Sequence, residues 1–235
     1  MSLPPVYYAI GDVHGEAKRL KRLHGLILDR HADFSADHPI HIVHLGDYID
    51  RGDNSFEVVE TIRRLEQRSD LTVTNLRGNH EQMLLDAHNA SNDSSVGFWL
   101  INGGEQTLDS YKAQGLDDVS KPHLDWISTL PVSYEDEQRK LLFVHAGVDV
   151  SAFPNCSKKV RMWTRSASFF NTDNWDNPDL IGWRIVHGHT PTEDSYPDVS
   201  GHDSQRINID TGAVFGGRLT AAEFKPGQKV NFLFA

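Results

Sequence analysis

Hydrophobic and polar positions along this chain switch repeatedly between two periods, and the switching predicts one unit three times over. Val6–Ile10 is an unbroken apolar run that stops at Gly-Asp, the pattern of a strand buried on both faces. Residues 16–29 follow with apolar side chains at Leu20, Leu23, Leu26 and Ile27, the three-and-four spacing of an amphipathic helix. Residues 40–45 form a second apolar run, again closed by Gly-Asp, and 56–65 a second helical pattern. Residues 71–76 and 81–88 complete a third strand and helix. Strand, loop and helix in this order predict βαβ units around a parallel sheet, so the fold class is α/β. The middle, 89–140, reads as a polar loop over 89–95 followed by helix. The carboxyl half is richer in strand, with candidates at 140–144, 184–187, 206–209, 219–224 and 230–234. At 235 residues, 1–235 is read as a single domain.

Composition narrows the class. A hydrophobic share of 38% supports a packed core, and the formal charge of −10 with no basic run disfavours a nucleic-acid partner. Cys156 is the only cysteine, so no intrachain disulfide can form. No run of about 18 apolar residues suggests a membrane span, and the first residues lack the basic and apolar regions of a signal peptide. These features point to a soluble, cytoplasmic protein; nothing in the pattern calls for an obligate oligomer, and a monomer is expected.

Chemistry is concentrated in five short motifs: Gly-Asp-Val-His-Gly (11–15), Gly-Asp-Tyr-Ile-Asp-Arg-Gly (46–52), Gly-Asn-His-Glu (78–81), His-Ala-Gly (145–147) and Gly-His-Thr (188–190). Three fall at the carboxyl ends of the first three strands, where open α/β sheets bind ligands. Their oxygens and imidazoles suit manganese, iron or zinc. Asp12, His14 and Asp47 would hold one ion; Asp47, shared, would hold a second with Asn79, His145 and His189. Two such ions, roughly 3.5–4 Å apart, can hold a hydroxide and draw charge off a leaving oxygen. Arg51, Arg77 and Arg165 stand near the ligands in sequence, and a guanidinium fork matches phosphoryl oxygens. His80, oriented by Asp50, suits proton donation to a leaving alcohol. Glu81 is expected to brace its loop. His187 is read as a packed strand histidine, and Asp210-Thr211-Gly212 as a turn beside the site.

At this point the motifs resemble the phosphoprotein phosphatase family of metallophosphoesterases, whose Gly-Asp-x-His-Gly, Gly-Asp-x-x-Asp-Arg-Gly and Gly-Asn-His-Glu are present without substitution. Residues 77–86, 99–104 and 210–215 look like its small bacterial and phage branch, typified by the bacteriophage lambda phosphatase. The resemblance implies a β-sandwich flanked by helices, a dinuclear centre usually assayed with manganese, and direct attack by metal-bound hydroxide on phosphorus. It also implies that Asp12, His14, Asp47, Asn79, His145 and His189 are metal ligands, that Arg51, Arg77 and Arg165 form the phosphate clamp, and that His80 with Asp50 forms the acid pair.

The expected activity is therefore hydrolysis of phosphomonoesters, on a phosphorylated serine/threonine protein or a small phosphomonoester. A symmetrical diadenosine tetraphosphate hydrolase is the nearest rival; Asp50 and Glu81 argue against it. A phosphodiesterase ending in Gly-His-x-His is disfavoured by Pro191, and a cysteine phosphatase by the four-residue gap between Cys156 and Arg161. A non-catalytic phosphopeptide-binding module would be expected to have lost a ligand or the acid, and none is missing. The loops expected to choose the substrate are 89–104 and 169–180.

Overall fold

The computed structural model describes residues 3–89 and 93–235. Its first half alternates as the periodicity predicts: β1 (Val6–Ile10), α1 (Ala17–Ser35), β2 (Ile40–His44), α2 (Ser55–Glu66), β3 (Thr72–Asn75) and α3 (Asn79–Asn89). After α3 come α4 (Asp93–Trp99), a π-turn at Leu100–Gly104, α5 (Glu105–Lys112) and α6 (Lys121–Thr129). The strands β4 (Ser133–Asp136), β5 (Leu141–Val144), β6 (Arg184–His187), β7 (Asp198–Ser200), β8 (Arg206–Asn208), β9 (Thr220–Phe224) and β10 (Asn231–Phe234) complete the chain.

Two five-stranded sheets pack face to face. One runs β10-β9-β1-β2-β3, the other β4-β5-β6-β8-β7. Each has a parallel set, β1-β2-β3 in the first and β5-β6-β8 in the second; antiparallel pairing adds β9 and β10 on one side of the first sheet, and β4 and β7 as both edges of the second. Period-two geometry divides β1 between two cores. Tyr7 and Ala9 face the other sheet, packing with Val43, Phe143, Val186 and Ile207. Val6, Tyr8 and Ile10 face the helices, packing with Leu20, Leu23 and Ile27 of α1. A strand covered on both faces must be apolar throughout, which is why β1 reads as a continuous run.

Three expectations are corrected. Helix α1 continues past residue 29 to Ser35, because Ile27, His31 and Ser35 extend its buried stripe at i+4 spacing; Leu26, expected on that stripe, is exposed. The 89–95 loop is helical at Asn89 and from Asp93 onward, and residues 90–92 lie outside the described residues. Strands β4 and β7 were not expected. They are edge strands of Ser-Tyr-Glu-Asp and Asp-Val-Ser, too polar for the alternation rule to register.

Candidate active site

All five motifs meet at one end of the two sheets. Asp12 and His14 follow β1, Asp47 follows β2, Asn79 opens α3, His145 follows β5 and His189 follows β6. Local backbone is unusual here: His14, Asp47, Asp50, Arg51 and His189 all have φ between 42° and 72°. Residues other than glycine hold that left-handed conformation only where their surroundings impose it. Two glycines show how tight the assembly is. A Cβ at Gly78 would lie 2.1 Å from Asp47 Oδ1, and one at Gly188 would lie 2.1 Å from Asp12 Oδ1.

Hydrogen bonds fix where each ring points. His14 Nδ1 donates to Ile49 O (2.8 Å) and His145 Nδ1 to Leu45 O (3.0 Å), so both Nε2 atoms carry lone pairs. The His145 lone pair meets Asn79 Oδ1 at 2.9 Å and Asp47 Oδ1 at 3.4 Å. Three acceptors converging without a proton between them is the arrangement a divalent cation resolves. His14 Nε2 lies 3.5 Å from Asp47 Oδ2 and accepts from Arg51 Nη1 (2.8 Å), while His189 Nε2 accepts from Arg165 Nε (3.2 Å). At His14 a cationic N–H thus already stands on the lone pair that a metal would use, whereas His189 turns Nδ1 toward His145 Nε2 (3.3 Å) and leaves Nε2 to Arg165.

Charge argues the same way. Asp12 accepts from His189 N with both oxygens, at 3.2 and 3.1 Å. Burial first, then the neighbouring Asp210 and Asp47 carboxylates, pushes its pKa well above the ordinary range. Burial would raise Asp47 too, but His145, His80, His14 and His189 outweigh it and hold Asp47 well below that range. Burial drives the imidazoles the other way, His14 to about 3 and His189 to about 2, with His145 also lowered. We take Asp47 as ionised and the imidazoles as neutral, the protonation states that metal ligation requires. Two groups of ligand atoms, His14–Asp47–His80 and Asp47–His145–His189, each lie within 4.8 Å of one another and share Asp47. The first contains His80 where the spacing argument has Asp12. The Nδ1 of His80, however, is committed to Asp50.

His80 and Asp50 form a buried pair, Nδ1 to Oδ2 at 2.7 Å. Burial opposes charge on the ring, but Asp47 and Asp50 outweigh it and raise the His80 pKa. Two residues given no role in the sequence reading hold Asp50 in turn. Trp99 Nε1 donates to both its oxygens (3.0 and 3.1 Å) and Thr107 Oγ1 donates to Oδ1 at 2.7 Å. Thr107 carries no motif, and Trp99, which opens the family-like stretch 99–104, has no role assigned there. The π-turn adds Gly103 O, which accepts from Arg51 N at 3.1 Å. Within the stretch expected to form a selective loop at 89–104, residues 93–104 are therefore helix and π-turn that support Asp50 and Arg51 from behind.

Glu81 braces the second motif, accepting from the backbone N–H of Asp47, Tyr48 and Gly78 at 2.8, 2.8 and 2.9 Å. The arginines divide. Arg51 and Arg165 touch His14 and His189, whereas Arg77 donates from Nη1 to Gln82 and from Nη2 to Ser128 O and Leu130 O. Only its Nε is buried without a partner. His187 is a packed strand histidine: Nδ1 donates to Gly188 O (3.0 Å) and Nε2 accepts from Arg206 (3.2 Å). Asp210 is buried, accepts from Gly212 N at 3.1 Å, and is pushed up to about 7 chiefly by burial.

With this geometry in place, comparison with known proteins is informative. The model of the calcineurin-like phosphoesterase family matches residues 6–221. Serine/threonine-protein phosphatase 1 of Salmonella typhimurium is 30% identical over 228 residues, covering 93% of this chain and 91% of that protein. The asymmetrical bis(5'-nucleosyl)-tetraphosphatase PrpE of Bacillus cereus is 27% identical over 244 residues, covering 96% and 93%. Among solved structures, the cold-active protein-tyrosine phosphatase of a Shewanella species superposes with a TM-score of 0.61 at 21% identity, covering 97% of this chain and 80% of that one. That likeness speaks to the fold.

Proposed function

The chain belongs to the calcineurin-like phosphoesterase family, a metal-dependent group of phosphatases, and from that premise we propose that it is a serine/threonine protein phosphatase hydrolysing phosphomonoesters. Asp12, His14 and Asp47 would hold one divalent ion and Asp47, Asn79, His145 and His189 a second, manganese being our choice among the ions that mixed oxygen and imidazole donors suit. When bound, such ions would neutralise phosphoryl charge and acidify a water molecule. The protein's own residues do the rest. Arg51 and Arg165, placed on opposite sides of the cluster through His14 and His189, would fork onto the phosphoryl oxygens. Arg77 would contribute through Nε, the one nitrogen of its guanidinium that lacks a partner. His80, its Nδ1 proton held by Asp50, is oriented to release the Nε2 proton to the leaving alkoxide.

The observation that carries this reading is the buried His80–Asp50 pair, with Asp50 saturated by Trp99 and Thr107. With Nδ1 anchored on Asp50, Nε2 is left as the nitrogen that can exchange a proton, which supports the donor role. A cytoplasmic location is part of the reading, supported by the single cysteine. Among the described residues no helix is long and apolar enough to cross a membrane.

The PrpE relative supplies the competing substrate, a dinucleoside tetraphosphate. Metal-stripped protein repleted with manganese should release phosphate from a phosphothreonine peptide and cleave diadenosine tetraphosphate slowly. Preference for the dinucleotide would overturn the protein-phosphatase reading and leave the metal assignment standing.

A further inference from the structure

Far from the active site, the opposite end of the second sheet opens into a cleft of about 1030 Å³. It lies where β5 and β6 begin, whereas His145 and His189 follow their far ends. His189 is five residues beyond Arg184, roughly 16 Å at the rise of a strand. Three cations line the cleft, Arg139, Arg184 and Lys229, against one acid, Asp203, which is exposed and pairs with His202 at 2.9 Å.

The cations are oddly placed for a chain of net charge −10. Among the described residues none of the three forms an ion pair, and Arg184 forms no side-chain hydrogen bond. The nearest carboxylate to Arg139, Asp136, is occupied by the Tyr7 hydroxyl and the Arg139 backbone N–H. Both guanidiniums are half-buried, laid over aromatic rings: Arg139 over Tyr7 at 5.1 Å and Arg184 over Phe224 at 5.5 Å. Burial lowers the pKa of each, and for Arg184 the charge of Arg139 lowers it further. Two partly desolvated like charges side by side are an unfavourable arrangement that a bound anion would reverse. Ring stacking holds the Arg184 fork in place, and for Arg139 it is joined by Nη1 donating to Pro5 O (2.7 Å) and Nη2 to Phe224 O (3.0 Å), so little rotamer entropy remains to be lost on binding.

We propose that this cleft is a second anion site, separate from the catalytic centre, which holds an oligophosphate chain. The cleft is too large for one phosphate, and three cations line it rather than one. The phosphate chain is the recognised chemistry, whether it comes as free polyphosphate or as part of a nucleotide.

The test uses metal-stripped full-length protein carrying Arg51→Ala and Arg165→Ala, so that catalytic anion binding is suppressed and activity is not the readout. Isothermal titration with tripolyphosphate should show one site, and adding Arg184→Glu should weaken it at least tenfold. The Trp183 indole N–H resonance should move on titration only when Arg184 is present. ATP in a parallel arm distinguishes sources: tighter binding than tripolyphosphate, still dependent on Arg184, identifies a nucleotide, and equal or weaker binding identifies the phosphate chain alone. Should Arg184→Glu fail to fold, the exposed Lys229→Glu is expected to weaken binding in the same direction. Affinity unchanged by these variants, or binding no tighter than about 1 mM, overturns the proposal.

Discussion

Trp99→Phe isolates the proton donor from the metal centre. In the wild type, Asp50 is fully buried and accepts from His80 Nδ1, Trp99 Nε1 and Thr107 Oγ1. Phenylalanine keeps a ring against Gly104 but removes the indole N–H. A hydrogen bond to a charged group is worth about 1.5–3 kcal/mol. With that donor gone the Asp50 charge is less stabilised and grips the His80 proton more strongly, making His80 a poorer acid. If the loss is expressed in the transition state, kcat on a phosphothreonine peptide falls between about tenfold and about a hundredfold. A para-nitrophenyl phosphate substrate, whose leaving group needs little protonation, should lose less than threefold by the same physics, a figure of order 0.6 kcal/mol. Steady-state kinetics on both substrates, with metal content measured by elemental analysis, decides the matter. Equal losses on the two substrates, or a drop in bound metal, would refute the reasoning and make Trp99 a packing residue only.

Three further outcomes are expected. His24 donates from Nε2 to His44 Nε2 (2.9 Å) because His44 Nδ1 donates to Asn75 Oδ1 (2.7 Å), and burial lowers His24 to about 4. A folded pKa below the ordinary His value means stability is fully present above about pH 6.5 and lost as pH falls toward 4; denaturant unfolding at pH 5 against 7.5 should show a loss of about 2 kcal/mol from His24, and a His24→Phe variant a shallower slope. Arg165→Lys keeps the charge and loses the fork, so kcat/KM should drop about tenfold with KM raised; an unchanged KM would remove Arg165 from phosphate binding. Chelation should abolish activity and lower the melting temperature, and manganese at about a hundred times its dissociation constant should return about 2.7 kcal/mol of stability; a chelated protein that melts like the repleted one would contradict the ligand assignment.

Much of this was legible in the sequence, for a physical reason. The ligand-type residues sit on turns at strand ends, so glycine marks the tight backbone and the apolar run before it marks the strand. What escaped is which residues meet, because contact partners have no local signature. Trp99 and Thr107 reach Asp50 across 49 and 57 residues, a juxtaposition set by how α4, the π-turn and α5 fold back on the second motif loop. Arg77 directly precedes a motif, yet its Nη2 is taken by carbonyls at the end of α6, more than 50 residues away in sequence, and its Nη1 by Gln82. Strands β4 and β7 escaped because edge strands need bury little, and periodicity reports burial rather than hydrogen bonding.

The left-handed residues explain why so much of the interior is polar. Aspartate tolerates positive φ through local hydrogen bonds, but His14, Arg51 and His189 have no such ease, and each costs of order 1–3 kcal/mol to hold there. Those conformations point the His14 and His189 rings and the Arg51 fork inward. They persist because backbone groups around them are pinned from several directions: Gly103 O takes the Arg51 N–H, Asp12 takes the His189 N–H, and Glu81 takes three N–H groups at once. Asp12 and Glu81 are themselves buried, so neither can relax toward water to relieve the strain. A site built this way is preorganised by the same bonds that make it costly. Mutations at Glu81 or Trp99, which touch no substrate, should therefore alter catalysis through geometry more than through overall stability.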